Sequence, residues 1–91
     1  MFSCIEEIKI ANKQINNYWF ENKTMRFFNS VIESKVLYGW YFITSERTSE
    51  ILPRKYTIRK ALPTGKIENV GKFQKYDNVE DAKKSLLNIL N

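Results

Sequence analysis

The stretch RKYTIRKALPTGKIENVGKFQKY, residues 54–76, decides the fold because it contains two strand patterns joined by a turn. Alternation of side chains predicts strands over 54–62 and 66–76. Between them, LPTG at 62–65 predicts a type I turn with a G1 bulge, since Pro presets φ and Gly accepts a positive φ. The alternation slips in the second strand, where Gly71 predicts a bulge. The stretch is therefore predicted to form an antiparallel hairpin.

Two further strands and two helices are predicted around this hairpin. Apolar residues at steps of three and four predict helices over 4–19 and 79–90. A period of two predicts a strand over 24–32, and the run VLYGWYFIT predicts a central strand over 36–45 that is covered on both faces. Short connections then predict a single α+β domain over 1–91, in the order α-β-β-β-β-α, with an antiparallel meander sheet and flanking helices.

Capping residues and one turn mark the element ends. Ser3 is predicted to cap the first helix, with Glu6 completing a capping box. Asn78 is predicted to cap the last helix. Residues 33–35, Glu-Ser-Lys, predict a turn between the second and third elements.

Composition excludes several functional classes. The only cysteine is Cys4 and histidine is absent, so neither an internal disulfide nor the usual zinc ligand sets can form. No cofactor and no metal site are predicted. The N-terminus lacks the pattern of a signal peptide, and no window approaches the ~18 apolar residues of a membrane span. We therefore expect a soluble protein of the cytoplasm that does not bind membranes.

Enzymatic activity is not expected. Without histidine, neither a Ser-His nor a Cys-His nucleophile pair can be assembled. The acidic pairs Glu6-Glu7 and Glu80-Asp81 are adjacent along helices, so their side chains diverge and do not form an acid–base pair. The Gly-Lys of PTGKIE lacks the other residues of a phosphate-binding loop.

A basic segment is the first candidate binding feature. Residues 54–76 carry the whole excess of the formal net charge of +5, and their cations are Arg54, Lys55, Arg59, Lys60, Lys66, Lys72 and Lys75. Lys55, Arg59 and Lys72 are predicted to form a stripe on one sheet face that could follow phosphates. Thr57 and Gln74 could hydrogen-bond to base edges between them. The alternative is a solvated strand face whose lysines prevent aggregation at the sheet edge.

An aromatic cluster is the second candidate. Alternation places Trp40 and Phe42 on one face and Tyr41 on the other. Tyr41 is the better candidate for stacking on a base or anchoring a protein interface. The alternative is that all three pack in the core.

One resemblance spans nearly the whole chain. The motifs TMRFFNS at 24–30, YFITSE at 41–46, RKYTIR at 54–59 and GKIENVGKFQKY at 65–76, together with Ala82, resemble a family of small proteins of phages, prophages and other mobile elements. The family has no settled function. The resemblance implies an accessory protein of a mobile element, and small proteins of that kind include inhibitors of host defence such as the anti-CRISPR proteins.

A second resemblance covers only residues 54–90. Strand, Gly turn, strand and GKFQKYDNVEDAKKSL are similar to the arm-type DNA-binding domain of phage integrases, with Gly71, Phe73 and Ala82 at matching spacing. Such domains insert a three-stranded sheet into the major groove. Here Tyr-Asp-Asn at 76–78 replaces the usual Thr-Lys, and the N-terminal helix and a further strand are additional.

Two functional hypotheses follow. The first is a stoichiometric, protein-binding inhibitor of a host defence nuclease complex of the CRISPR type, whose partner is a protein or a ribonucleoprotein. The second is a DNA-binding accessory or regulatory protein that uses the basic hairpin, with RNA as a further option. The oligomeric state is left open, and pairing of two chains through a strand edge is one option.

Overall fold

The centre of the fold is a four-stranded antiparallel sheet whose strands pair in chain order. The computed structural model describes residues 2–33 and 39–91. The strands are β1 (Val31–Ile32), β2 (Tyr41–Glu46), β3 (Lys55–Ala61) and β4 (Ile67–Val70). The helices are α1 (Ile5–Gln14), α2 (Asn22–Phe27) and α3 (Val79–Leu90). The predicted α+β class and the meander with helices at both ends of the chain are confirmed.

The predicted turn between β3 and β4 is confirmed. The Gly65 amide donates to the Leu62 carbonyl at 2.8 Å, and Gly65 has φ +99°. A side chain is excluded there for a second reason, because a Cβ on Gly65 would lie 2.7 Å from the Ala11 carbonyl carbon of α1. The turn of the hairpin is thus pressed against the first helix.

β2 is the central strand that the sequence predicted. Its residues from Phe42 to Glu46 are buried on both faces. The strand begins at Tyr41 and not at residue 36. Residues 34–38, which carry the first part of that predicted strand and most of the predicted turn, lie outside the described residues.

The predicted strand over 24–32 is wrong, because helix α2 occupies most of it. The Met25 amide donates to the Glu21 carbonyl at 2.9 Å, a helical bond. Met25 and Phe28 are half-buried and three residues apart, whereas Phe27 between them is exposed. Three-residue spacing is helical, and the alternation of Met25 with Phe27 concealed it. Only β1 remains of the predicted strand.

α1 is shorter than predicted and starts without the expected cap. It ends at Gln14, and the chain then turns through left-handed residues, Asn16 at φ 58° and Tyr18 at φ 53°. Cys4 occupies the N-cap position without a side-chain cap bond. The Ser3 hydroxyl and amide donate to Glu7 instead of pairing with Glu6, and these bonds lower the pKa of the Glu7 carboxyl.

The fourth strand is also shorter than predicted. β4 ends at Val70, and the chain leaves the sheet through Gly71 at φ 77° and Gln74 at φ 57°. It returns at Tyr76, whose amide and carbonyl both bond to Tyr56. The predicted bulge at Gly71 is therefore a larger excursion of the chain away from β3.

α3 begins and ends where the sequence predicted. The Asn78 side chain accepts from the Asp81 amide at 2.8 Å, which is the predicted cap. Ala82 and Leu86 lie on the buried side of the helix.

The sheet has one core cluster on each face. On the α3 face, Ala82 and Leu86 pack against Ile43 and Ile58. On the α1 face, the buried cluster consists of Ile5, Ile8, Phe42, Ala61 and Ile67. Toward the ends of β2 and β3 that lie away from α1, the α1 face becomes polar and carries the candidate site.

Candidate functional site

A buried ion pair forms the polar end of the α1 face. Arg59 Nη2 donates to Glu46 Oε1 at 2.7 Å, with the two side chains 7% and 0% exposed. The pair lies on β3 and β2 because alternation directs both side chains to this face. Its remaining partners are hydroxyl and amide groups. Arg59 also donates to Thr44 and Asn69, and Thr57 donates to Glu46 at 3.0 Å.

These contacts hold the guanidinium of Arg59 in one orientation. An arginine has five N–H donors, and three bonds from Nε, Nη1 and Nη2 are satisfied here by Thr44, Asn69 and Glu46. The guanidinium carbon lies 5.2 Å from the Trp19 ring centroid and 5.4 Å from that of Phe73. Arg59 is therefore both an ion-pair partner and the cation between two aromatic rings.

The aromatic pocket lies above this row of side chains. We use that name for the cavity of about 390 Å³ whose walls include Trp19, Met25, Phe27, Phe28, Arg59 and Phe73. Phe28 contacts Phe73 with centroids 5.3 Å apart, and Phe27 meets Phe28 edge to face at 4.5 Å. The two segments of left-handed backbone described above position the walls, since one precedes Trp19 and the other carries Phe73.

A second cavity, the arginine pocket, lies beside the first. It has a volume of about 320 Å³, and Arg26, Arg47, Thr48 and Ser49 are among its lining residues. Phe27 lines both cavities and is 77% exposed. Arg47 Nε is buried and has no hydrogen-bond partner among residues 2–33 and 39–91.

Exposed apolar residues adjoin the arginine pocket. Glu50 lines that pocket, and Ile51 and Leu52 follow it along the chain with 91% and 47% of their surface exposed. We call Phe27, Ile51 and Leu52 the apolar rim. Exposed apolar side chains that form a contiguous patch are typical of an interaction surface.

The structure separates the residues that the sequence grouped as a basic stripe. Thr57 and Arg59 share the predicted face, but they are buried with 0% and 6% exposure. Lys55 pairs with Asp77 at 2.7 Å. The expected exposed stripe is therefore not formed, because the chain around Trp19 and Phe73 covers the middle of it.

The other predicted site residues are dispersed. Gln74 donates to the backbone carbonyl of Glu46 and Arg54 donates to Ser45, so both serve the fold. Lys60 lies over the half-buried ring of Tyr41 on the α3 face. The exposed members are Lys66, Lys72 and Lys75.

Sequence reasoning missed most residues of the two pockets. Trp19, Phe73 and Arg47 lie in irregular segments, where periodicity gives no signal. Arg26 and Phe27 lie in the helix that was predicted as a strand. The MRFF run at 25–28 was the available signal. Its three large apolar side chains cannot all be buried on one side of a short surface segment, whether that segment is a strand or a helix.

All of these residues fall within the region that matches one protein family. Residues 4–87 match a family of unknown function, DUF7447. The chain belongs to the DUF7447 family. The match runs from the start of α1 into the last turns of α3, so it spans the residues of this chain that line both pockets. No curated protein and no solved structure matches the chain.

Residues 2–33 and 39–91 hold neither a metal-binding cluster nor a membrane-spanning helix. What this DUF7447 chain offers chemically is a fixed guanidinium, aromatic walls and a buried Arg47 Nε that has no partner among the described residues. Aromatic rings are suited to stacking, and guanidinium groups are suited to contacts with negative charge.

Proposed function

We propose that this protein acts by binding, as a stoichiometric inhibitor of a host defence nuclease complex of the CRISPR type, and that it is not an enzyme. The observation that carries the binding role is that Phe27, an exposed member of the apolar rim, lines two pockets that also contain arginine side chains. Protein interfaces are enriched in aromatic residues and arginine, and a few such residues supply most of the binding energy. The nuclease target rests on the resemblance to proteins of mobile elements.

The buried ion pair supports this proposal. Breaking such a pair is costly, so Glu46 and Arg59 hold the floor of the aromatic pocket in place. A pocket whose shape exists before binding avoids the entropy of ordering its side chains on association. The aromatic pocket therefore has a fixed floor and an exposed apolar side chain, Phe27, at its edge.

The arrangement of the sheet favours protein binding over the integrase-like alternative. An arm-type sheet needs an open face to enter a DNA groove. Here α3 covers one face, and α1 with the aromatic residues covers the other. Lys66, Lys72 and Lys75 are exposed and form no ion pair among the described residues, so they contribute long-range attraction to an acidic partner.

Photo-crosslinking in host cells that carry the defence system tests the surface. p-Benzoylphenylalanine replaces Ile51 in one variant and Leu87 in the other, because Leu87 is 52% exposed on α3 and serves as the matched control. We expect an adduct with a nuclease subunit from position 51 and none from position 87. Equal adducts from both positions, or adducts only with unrelated proteins, would contradict the proposal.

Titration of the captured nuclease then tests the mode of action. A binding inhibitor abolishes cleavage near one equivalent of protein, and further incubation changes nothing. Complete loss of activity at a small fraction of one equivalent, progressing with time, would instead indicate an enzyme.

A further inference from the structure

We propose that the aromatic pocket and the arginine pocket together bind one nucleotide unit of an unpaired nucleic acid. The base would occupy the aromatic pocket, and its phosphate would lie against Arg26 and Arg47. This goes beyond the proposed function, because nucleotide binding is a property of the isolated chain and does not depend on any nuclease.

The aromatic pocket suits a base. Trp19, Phe28 and Phe73 offer ring faces and edges around a cavity of about 390 Å³, which is within the range of small-molecule pockets. Stacking on aromatic side chains is how proteins hold unpaired bases of any sequence. A base in a duplex is already stacked on its neighbours and cannot enter such a cavity.

The Arg59 guanidinium at the floor of the aromatic pocket has hydrogen-bond donors that form no bond to the described residues. Three bonds fix the Arg59 guanidinium, which leaves two of its five N–H groups without a partner among the described residues. Arg59 is only 6% exposed, and buried donors are normally satisfied by protein, water or a ligand. The ring nitrogens and carbonyl oxygens of a base are acceptors of the right kind.

The arginine pocket suits a phosphate. Neither Arg26 nor Arg47 forms an ion pair within residues 2–33 and 39–91, and Arg47 Nε is buried without a partner. Thr48 and Ser49 add hydroxyl groups, and Glu50 is the one acid that lines the cavity. Guanidinium groups bind phosphate oxygens through paired N–H donors, so two of them outweigh the exposed carboxylate.

Phe27 joins the two halves. It lines both cavities, which places them one side chain apart, as a base and its own phosphate are arranged. A peptide with phosphoserine or phosphothreonine would fill the arginine pocket and leave the aromatic pocket empty. The combination of ring platform and arginines therefore favours a nucleotide.

Fluorescence anisotropy of the intact protein tests binding directly. The labelled probe is a single-stranded DNA of about twelve nucleotides, which is within the site sizes of single-strand binders. The unlabelled competitors are the matching duplex, guanosine monophosphate and inorganic phosphate. We expect the single strand to bind and to resist competition by the duplex. If guanosine monophosphate competes, a free nucleotide is sufficient; if it does not, the ligand is a strand.

Two charge-matched double variants locate the site. Arg26→Gln with Arg47→Gln removes the proposed phosphate contacts, and Lys83→Gln with Lys84→Gln removes the same charge from exposed positions on α3. We expect the arginine variant alone to weaken binding more than tenfold and to lower the salt slope by about 0.7 per lost contact. Equal weakening by both variants would mean nonspecific attraction and would overturn the proposal.

Phe27→Ala tests the aromatic half. Loss of one stacking side chain weakens binding of a strand by roughly 5- to 150-fold. Quenching of Trp19 fluorescence also reports binding, and it is measured in a Trp40→Phe background so that Trp19 is the remaining tryptophan. The anisotropy measurement needs no such substitution. The proposal is overturned by unchanged affinity in Phe27→Ala, by inorganic phosphate competing as well as the nucleotide, or by the duplex binding as tightly as the single strand.

Discussion

The two faces of the sheet are closed in different ways. On the α3 face, a capped helix lays Ala82 and Leu86 onto Ile43 and Ile58, and the packing is apolar. On the α1 face, the cluster around Phe42 gives way to the Glu46–Arg59 pair, and irregular segments cover it. The first arrangement fills space, whereas the second leaves a cavity of about 390 Å³ above a fixed cation.

The difference shows where the fold departs from apolar packing. A buried ion pair is seldom more stable than apolar side chains of equal volume, because both ions lose their hydration. A chain of 91 residues has little core to spare. We propose that the charged, part-open face is retained for the binding role described above. Four substitutions, ordered by their expected effect on stability, test this contrast.

Glu46→Ala should have the largest effect on the α1 face. It leaves the Arg59 charge buried without its acid, which costs about 3–5 kcal/mol in the free energy of unfolding. Urea denaturation monitored by circular dichroism measures it. The double variant Glu46→Met with Arg59→Met removes both charges and should recover most of the loss. A loss below about 1 kcal/mol in the single variant would show that the pair is not buried in solution.

The contrast also explains what the sequence could and could not predict. The LPTG turn and the Asn78 cap act through local backbone chemistry, so the hairpin and α3 were predicted correctly. Alternation assigned Thr57 and Arg59 to the correct face. It could not indicate that this face is covered, because the cover comes from Trp19 and Phe73.

Those two covering residues are placed by unusual backbone conformations. The chain reaches Trp19 through left-handed Asn16 and Tyr18, and it carries Phe73 between Gly71 and Gln74. Isolated left-handed residues have no periodic signature, and only the glycine among them is an evident candidate. The candidate site was therefore only partly predictable, since its strand residues follow a pattern and its walls do not.

Leu86→Ala gives the matching loss on the α3 face. Leu86 is 1% exposed, and a buried Leu→Ala change costs about 2–5 kcal/mol. Leu87→Ala is the control on the same helix, because Leu87 is 52% exposed and should change stability by less than about 0.5 kcal/mol. The folded fraction of the Leu86→Ala variant should bind single-stranded DNA with the affinity of the unsubstituted protein. Equal losses in both leucine variants would contradict the described packing of α3.

Asn12→Ala should have an intermediate effect, because it disconnects α1 from both the hairpin and the pocket wall. The side-chain Nδ2 of Asn12 donates to the Gly65 carbonyl at 2.8 Å, and its Oδ1 accepts from the backbone amide of Trp19 at 2.7 Å. Leaving buried backbone groups unpaired costs about 1–3 kcal/mol. Asn17→Ala is the control, since it removes only the third bond of Asn12. Thermal denaturation separates the two, and a larger loss in Asn17→Ala would contradict this role of Asn12.

Phe27→Ala should have the smallest effect on stability, although Phe27 is a large aromatic residue. It is 77% exposed and its only ring contact among the described residues is the edge-to-face one with Phe28, so we expect a loss below about 1 kcal/mol. Phe28→Ala, at a half-buried position between Phe27 and Phe73, should cost more. A residue that contributes little to folding and much to binding is what the open α1 face requires. If Phe27→Ala unfolded the protein as readily as Leu86→Ala, Phe27 would belong to the core, and the contrast between the two faces would fail.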